Sequence, residues 1–266
     1  MTNVIAFVSV KGGVGKTTLA LEVASSLVNH YHKKILLVDA NFSAPNVGLY
    51  LDLTNELSLH DALDGTPLHN TIYEAHGIDV IPASLYYNNP VDTEKLPKIL
   101  EKFKSRYDYI IIDSSPNYEE LRPVINTADR VFIVTTPDHV TLETSMKAAE
   151  MAKDNNTPIE GVIVNRIRSP KHEYNLGQIE SYSDIPVVAK IKDHIRIAEA
   201  LHKRKPITIH APHNTVSKEI RKLAAAMSNE EGPKDTFIEK LLKNPFVGKE
   251  QVNREFLRQR FYESQL

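Results

Sequence analysis

The chain has 266 residues, of which 41% are apolar and 25% are charged, and its formal net charge is -2. This length can bury the core of one large α/β domain, and the balanced charge excludes a strongly basic chain while leaving room for a local basic face. The absence of cysteine excludes disulfides, thiolate zinc sites and cysteine-held iron–sulfur clusters. No run reaches the roughly 20 apolar residues that span a bilayer. We therefore expect a soluble cytoplasmic protein.

Short apolar runs alternate with helix-length segments along most of the chain. The predicted strands are residues 4–8, 35–38, 78–81, 109–112, 131–134, 162–164 and 187–188. The predicted helices include residues 18–29, 94–104, 140–153 and 216–227. Because several strands are continuously apolar and alternate with helices, the pattern predicts a doubly wound, mostly parallel α/β sheet flanked by helices, with ligands at the carboxyl ends of the strands.

The character of the sequence changes near residue 228. Residues 229–234 combine asparagine, glycine and proline, which is typical of a helix stop followed by a linker. Two short helices are predicted beyond it, at residues 236–243 and 250–264. We therefore expect a main domain over residues 1–228 and a short helical C-terminal extension over residues 229–266.

A glycine-rich loop follows the first predicted strand and precedes an amphipathic helix. It reads Lys11-Gly12-Gly13-Val14-Gly15-Lys16-Thr17-Thr18. Glycines let backbone N–H groups point inward at a phosphate, and the helix N-terminus adds its positive dipole end. In this arrangement Lys16 reaches the β- and γ-phosphates, Thr17 binds Mg²⁺ through its hydroxyl, and Thr18 bonds the α-phosphate. The strand–loop–helix context favours a nucleotide site over a glycine-rich surface turn.

The loop departs from the general phosphate-loop motif, with Val10 in place of glycine and an additional lysine at position 11. In this form it resembles the deviant Walker A motif of the MinD/ParA family, which are dimer-forming P-loop ATPases of the SIMIBI type that position division sites, plasmids and other cargo. The resemblance covers residues 1–227, is most specific at the loop, and is closest to archaeal-type MinD-like proteins. It implies an ATP-sandwich homodimer in which Lys11 reaches the partner's nucleotide and stabilises transition-state charge.

The second predicted strand runs into Asp39, which by resemblance is the first aspartate of switch I. A carboxylate at this edge can hold a magnesium-bound water near the γ-phosphate. The family usually has a second aspartate two residues later, where this chain has Asn41. An amide can orient a water but takes up no proton and adds no negative charge, so we expect slow ATP hydrolysis. The alternative is that Asn41 simply forms a turn.

The strand at residues 109–112 runs into Asp113, at the Walker B position. By resemblance Asp113 bonds Thr17 or a magnesium-bound water in switch II, and the alternative is that it caps the next helix. The family often has glycine where this chain has Asn117, which leaves the coupling of switch II open. Asn165, after a later strand, would by resemblance hydrogen-bond the adenine edge. Without the resemblance it is an ordinary turn residue.

Two regions are candidate partner surfaces. Residues 190–222 carry nine basic and three acidic residues. ParA-like proteins hold DNA non-specifically with a basic surface in this part of the chain, so DNA contact is one interpretation. A solvated positive face explains the same charges equally well. Residues 250–264 have an imperfect apolar face, which in MinD-like proteins rests on a membrane. Because residues 229–266 carry seven basic and seven acidic residues, we expect this face to dock on protein in preference to anionic lipid.

The leading hypothesis is an ATP-driven dimerisation switch that uses ATP and Mg²⁺ and acts with a protein partner on a cellular cargo. Its catalytic residues would be Lys11, Lys16, Asp39 and Asn41. Its metal ligands would be Thr17, Asp39 and Asp113. A nucleotide-binding scaffold with negligible turnover is the main alternative, motivated by Asn41 and the altered switch II. An ATP-dependent amide-forming ligase is less favoured, because the chain has no evident second catalytic constellation.

Overall fold

A sheet of eight strands runs through the structure, a computed structural model that describes residues 2–168 and 171–233. The strands are β1 (Asn3–Val8), β2 (Ile35–Ala40), β3 (Tyr73–Ala75), β4 (Ile78–Ile81), β5 (Tyr109–Ser114), β6 (Arg130–Thr135), β7 (Ile159–Ile167) and β8 (Val187–Lys192). Their order is β3-β4-β2-β5-β1-β6-β7-β8, and every neighbouring pair is parallel except β3–β4. The predicted mostly parallel sheet is confirmed, and it contains all seven predicted strands.

Helices cover both faces of this sheet. They are α1 (Lys16–Tyr31), α2 (Val47–Tyr50), α3 (Leu59–Leu63), α4 (Leu96–Glu101), α5 (Tyr118–Thr127), α6 (His139–Asp154), α7 (Leu176–Ser183), α8 (Ile195–His202), α9 (Ile207–His210) and α10 (Thr215–Ser228). One face packs against α3 to α7, and the other packs against α1, α2 and α8 to α10. This two-sided cover is the doubly wound arrangement that the alternation of strands and helices predicts.

The central strand β1 shows why these strands are apolar throughout. Val4, Ala6 and Val8 enter the core on one face, and Ile5 and Phe7 enter the core on the other. Successive side chains of a strand point to opposite faces, so a strand that is covered on both faces needs apolar residues at every position. The buried β1 therefore provides a rigid base for the loop at its carboxyl end.

Two differences from the predicted elements have local causes. The helix predicted at residues 94–104 is shorter, because α4 starts with Pro97 in its first turn and the Phe103 N–H closes a tight turn onto the Leu100 carbonyl at 2.9 Å. Helix α5 was not among the predicted helices, since Pro123 lies inside it and interrupts the expected pattern.

The C-terminal end of α10 agrees with the predicted helix stop. The helix ends at Ser228, and Asn229 caps it in the left-handed conformation with a φ of 62°. The helices predicted at residues 236–243 and 250–264 lie outside the described residues. The division into a main domain and a C-terminal extension therefore stays a prediction.

A buried carboxylate fastens α1 to α9. Glu22 is 2% exposed and accepts hydrogen bonds from the backbone N–H groups of Ile207 at 2.6 Å and Thr208 at 3.1 Å. The Thr208 hydroxyl donates a third bond at 3.1 Å. Burial raises the pKa of Glu22 to about 7, although the three donors favour its charged form.

This raised pKa predicts a pH-dependent stability. Between the ordinary value of 4.5 and about 7, Glu22 keeps its proton in the folded chain and loses it in the unfolded chain, so its contribution to the free energy of unfolding falls as pH rises. The difference in that free energy between the native chain and Glu22→Gln should shrink by about 2 kcal/mol from about pH 5 to about pH 7.5, measured by urea denaturation. A difference that is the same at both pH values would contradict this.

Candidate nucleotide site

The glycine-rich loop, residues 9–15, connects the carboxyl end of β1 to α1 and is called the phosphate loop below. Gly13 and Gly15 have φ angles of +79° and +96°, in the region that disfavours side chains. At Gly15 a Cβ would also lie 2.3 Å from the Asn165 amide nitrogen. Gly15 is therefore required both by its backbone conformation and by the close approach of β7.

Helix α1 starts directly behind this loop. Gly15 is its N-cap and supplies no side-chain hydrogen bond, so the backbone N–H groups of the first turn lack an acceptor from the cap. The first helical residue, Lys16, is 6% exposed, and its ammonium group donates to the Lys11 carbonyl at 3.3 Å. Burial lowers the pKa of Lys16 to about 8, while the charge of Asp113 raises it. A buried cation and a helix N-terminus thus converge, which is a suitable arrangement for a phosphate anion.

The other residues of the loop and of the first turn of α1 differ in exposure. Lys11, Gly12 and Gly13 are exposed, and Val14 is buried. Thr17 and Thr18, in the first turn of α1, are half-buried. The exposure of Lys11 is compatible with its predicted contact with a second chain, which stays a prediction.

Asp39 and Asp113 form a buried carboxylate pair. They lie in register on the neighbouring strands β2 and β5, and both are fully buried. Burial raises the pKa of Asp113, the charge of Asp39 raises it further, and Thr17 and Lys16 lower it. Within the described residues, neither oxygen of Asp113 has a hydrogen-bond partner of normal geometry, although the Thr17 hydroxyl is close enough to favour the charged carboxylate. Two adjacent buried carboxylates are unfavourable, and Asp113 lacks a donor of normal geometry, so a cation at this position would stabilise the pair.

The helix after β5 does not use Asp113 as its cap. Asn117 caps α5, with its side chain accepting the Glu119 N–H at 3.0 Å. The φ of Asn117 is -72°, which any residue can adopt, so the backbone at this position does not require glycine. The capping alternative for Asp113 was therefore wrong, and the replacement of the family's glycine by Asn117 has a local structural reason.

Asp39 organises the loop that follows it. Its carboxylate accepts backbone N–H groups from Asn41 at 3.1 Å, from Asn46 at 3.0 Å and from Val47 at 3.0 Å. Burial raises the pKa of Asp39, whereas the three N–H donors lower it. Residues 41–46 are called the switch I loop below, because Asp39 fixes their conformation at the edge of the site. The sequence did not predict this role in loop folding. It gives no signal for hydrogen bonds from the backbone N–H groups of Asn46 and Val47 to Asp39, seven and eight positions earlier.

The Asn41 side chain stabilises a turn through its amide nitrogen, while its carbonyl oxygen has no hydrogen-bond partner among the described residues. Its amide nitrogen donates to the Ala44 carbonyl at 2.5 Å, as expected for a turn residue. The side chain is 6% exposed, and its carbonyl oxygen is buried without a hydrogen-bond partner in the part of the chain that the structure describes. Both interpretations of Asn41 are thus compatible with its environment.

Asn165 contacts the phosphate loop from β7. It is 5% exposed, and its amide nitrogen donates to the Val14 carbonyl at 2.7 Å. The structure therefore places Asn165 at the candidate site, although its predicted contact with adenine stays a prediction. The next residue, Arg166, has a left-handed φ of 56° where the pairing of β7 with β8 is irregular.

The basic region at residues 190–222 is partly neutralised. Arg196 forms an ion pair with Glu199 at 2.6 Å, and Arg204 forms one with Asp52. The Arg221 guanidinium donates to a backbone carbonyl. Residues 250–264, the other candidate surface, lie outside the described residues. Across the residues that are described, no helix has both the length and the apolarity needed to cross a bilayer.

Three comparisons with known proteins agree with this geometry. The ParA family model, described as NUBPL iron-transfer P-loop NTPase, matches residues 1–228. An uncharacterized ATP-binding protein of Methanocaldococcus jannaschii is 29% identical over 258 residues, which cover 92% of this chain and 97% of that protein. The septum site-determining protein MinD of Thermotoga maritima is 27% identical over 263 residues, which cover 93% of each protein.

A solved structure gives the same result for the fold. The septum site-determining protein MinD of Pyrococcus horikoshii, complexed with Mg-ADP, matches with a TM-score of 0.81 and 26% identity over 85% of this chain and 96% of that chain. The strand order, the phosphate loop after β1 and the family match over residues 1–228 lead to one conclusion: this chain belongs to the ParA family of P-loop NTPases.

Proposed function

We propose that this chain binds Mg-ATP at the carboxyl edge of its sheet, hydrolyses it slowly and uses the nucleotide to control its dimerisation. The observation that carries the proposal is the Asp113 carboxylate, whose two buried oxygens lack partners among the described residues while a lysine and a glycine-rich loop lie beside it. The buried carboxylate suits a cation, and the lysine and the loop suit an anion. A magnesium nucleotide supplies the two together.

The phosphates would bind to the phosphate loop and the first turn of α1. The backbone N–H groups of residues 12–18 would surround the β-phosphate, and Lys16 would contact the β- and γ-phosphates. Thr18 would bond the α-phosphate, and Asn165 would hydrogen-bond adenine beyond it. The position of these residues at one edge of the sheet supports the roles that the family resemblance implies.

Magnesium would bind where the unpartnered carboxylate faces Thr17. Hydroxyl and carboxylate oxygens suit this hard cation, which in nucleotide sites takes few protein ligands and shares the phosphates. Thr17, Asp39 and Asp113 are the proposed ligands, either directly or through waters. When bound, the cation would neutralise charge on the phosphates. Among the described residues, no group of three or more acidic, histidine or cysteine side chains could by itself hold a metal ion.

Hydrolysis would be slow because Asn41 stands where the family usually has aspartate. Its buried carbonyl oxygen can accept a hydrogen bond from a water and so orient it. The amide takes up no proton at neutral pH and adds no charge. Asn41 can therefore still position the attacking water, but it cannot accept a proton from it as an aspartate could. A long-lived ATP-bound state follows from this difference.

Dimerisation is the proposed consequence of ATP binding. Lys11 is exposed on the phosphate loop, where a second chain could present its own nucleotide to it. One relative is named septum site-determining protein MinD, and we extend such a positioning role to this chain, with a cellular cargo and a protein partner. The basic region at residues 190–222 is a proposed DNA contact, and residues 250–264 are a less favoured membrane contact.

Light scattering after gel filtration tests this proposal. We expect the native chain to shift from monomer to dimer with ATP and Mg²⁺, and Lys11→Ala to stay monomeric while its ATP affinity changes by less than about threefold. Lys34→Ala is the matched control, because Lys34 is an exposed lysine just before β2, at the opposite edge of the sheet. A native chain that stays monomeric with bound ATP would contradict the dimerisation switch.

A nucleotide-binding scaffold with negligible turnover is the second candidate. It is favoured by the bond from Asn41 to the Ala44 carbonyl, because this bond engages the amide in the turn. Iron transfer, named in the description of the family model, is less suited to this chain, since its residues include no cysteine to bind a cluster. Tight ATP binding without phosphate release would favour the scaffold.

A further inference from the structure

The switch I loop is bonded to the helix that follows the other candidate magnesium ligand. The Ser43 backbone N–H donates to one carboxylate oxygen of Glu120 at 3.2 Å, and the Ser43 hydroxyl donates to the other oxygen. Glu120 lies in the first turn of α5, seven residues after Asp113. The bidentate contact therefore connects the loop after β2 to the helix after β5.

A second contact holds the same loop at the preceding residue. The Phe42 ring packs edge-on against the His60 ring of α3, with centroids 5.5 Å apart and an interplanar angle of 84°. His60 is itself fixed, because its Nδ1 accepts the Ser84 N–H at 3.1 Å and its ring stacks on Tyr87. The adjacent residues Phe42 and Ser43 are thus held by a packed ring and by Glu120.

The position of the loop determines the position of the proposed catalytic groups. Asp39 accepts hydrogen bonds from the backbone N–H groups at both ends of the loop, at Asn41 and at Asn46, so its carboxylate is tied to the conformation of the loop. The buried carbonyl oxygen of Asn41 belongs to the same loop. A displacement at Ser43 would therefore be transmitted to Asp39 and Asn41.

We propose that Glu120 is a positioning residue that acts through Ser43: it holds the switch I loop so that Asp39 and Asn41 face the γ-phosphate, and it couples that loop to the helix after Asp113. The inference rests on the proposed function, since the reaction that it assists is ATP hydrolysis. Glu120 contacts the switch I loop and not the phosphate loop. It should therefore affect the rate of turnover, whereas nucleotide affinity should depend mainly on Lys16 and the backbone N–H groups around it.

The adjacent residue offers a matched control. Glu119 lies in the same helical turn, is exposed and carries the same charge, and no hydrogen bond or ion pair of its carboxylate is found among the described residues. Glu119→Gln removes the same charge near the same helix N-terminus. A simple loss of negative charge would affect both variants. Weakening of the contact to Ser43 would affect only Glu120→Gln, because the glutamine amide keeps one acceptor oxygen where the carboxylate has two charged ones.

Two measurements test the proposal. Hydrogen exchange of the nucleotide-free chain reports on the contact itself, and we expect the Ser43 amide to exchange at least about fivefold faster in Glu120→Gln, with no change in Glu119→Gln. Single-turnover phosphate release reports on positioning. We expect it to slow by about fivefold to tenfold in Glu120→Gln, while the ATP dissociation constant changes by less than about twofold.

Variants of the loop residue complete the test. Ser43→Thr keeps both donors and should release phosphate at close to the native rate, whereas Ser43→Ala loses the hydroxyl and should slow in the same direction as Glu120→Gln. Unchanged exchange in Glu120→Gln would show that the contact does not hold the loop. Faster exchange with native turnover, or equal slowing in Glu119→Gln, would overturn the positioning role. If the native chain binds no ATP, the proposed function fails, and the exchange measurement still reports on the contact.

Discussion

Replacing Gly15 with alanine is expected to weaken Mg-ATP binding by at least about a hundredfold while the chain remains folded. The φ of +96° at Gly15 costs an alanine about 1–2 kcal/mol. The added Cβ would lie 2.3 Å from the Asn165 amide nitrogen, so either Asn165 leaves the Val14 carbonyl or the phosphate loop shifts. Either movement displaces the start of α1 and with it Lys16, and a hundredfold loss corresponds to about 2.7 kcal/mol.

Calorimetric titration with ATP and Mg²⁺ measures this effect, and thermal unfolding reports whether the variant is folded. Gly65→Ala is the control, because Gly65 also has a positive φ, of +115°, but no atom lies within 4 Å of the position where its Cβ would be built. It should lose about 1–2 kcal/mol of stability and keep the native affinity. Native affinity in Gly15→Ala would mean that the nucleotide does not depend on this loop.

The main parts of the site were predictable because they follow from local patterns and from one topological rule. The phosphate loop is a continuous segment between a strand and a helix, so its position at the end of β1 follows directly. Asp39 and Asp113 are each the last residue but one of a buried strand, and the carboxyl ends of parallel strands meet at one edge of the sheet. Their pairing in register is the structural result of that rule.

Contacts between distant segments were not predictable from the sequence. The bond from Asn165 to Val14 joins residues 151 positions apart, and the bond from Ser43 to Glu120 joins residues 77 positions apart. Such pairs are set by how the sheet brings its loops together, and a single sequence gives no periodicity that marks them. Helix α5 was missed for a different reason, because Pro123 breaks a local pattern that tertiary packing nonetheless accommodates.

Replacing Asn41 with aspartate is expected to destabilise the nucleotide-free chain by about 2 kcal/mol. Aspartate has no N–H to donate to the Ala44 carbonyl, and it adds a third carboxylate beside the buried Asp39 and Asp113. Urea denaturation without nucleotide measures this cost. Asn46→Asp is a matched control, since the Asn46 amide donates to the same carbonyl at 2.7 Å from a more exposed position. It should cost less, and equal costs would contradict the like-charge argument.

The same substitution is expected to accelerate hydrolysis by at least about tenfold. The aspartate would place negative charge and a proton acceptor where Asn41 offers only an amide oxygen, and magnesium would offset the added charge when the nucleotide is bound. Stability and turnover should therefore change in opposite directions, as is common where a site is adapted to its ligand. Asn41 would then favour the stability of the nucleotide-free chain over the rate of hydrolysis.

Phosphate release from Mg-ATP by the purified native chain, measured beside Asn41→Asp, tests the central claim most directly. We predict slow release that requires Mg²⁺ in the native chain and faster release in the variant. If neither protein binds ATP or releases phosphate, the carboxyl edge of this sheet is not a Mg-ATP site, which would contradict the proposed function.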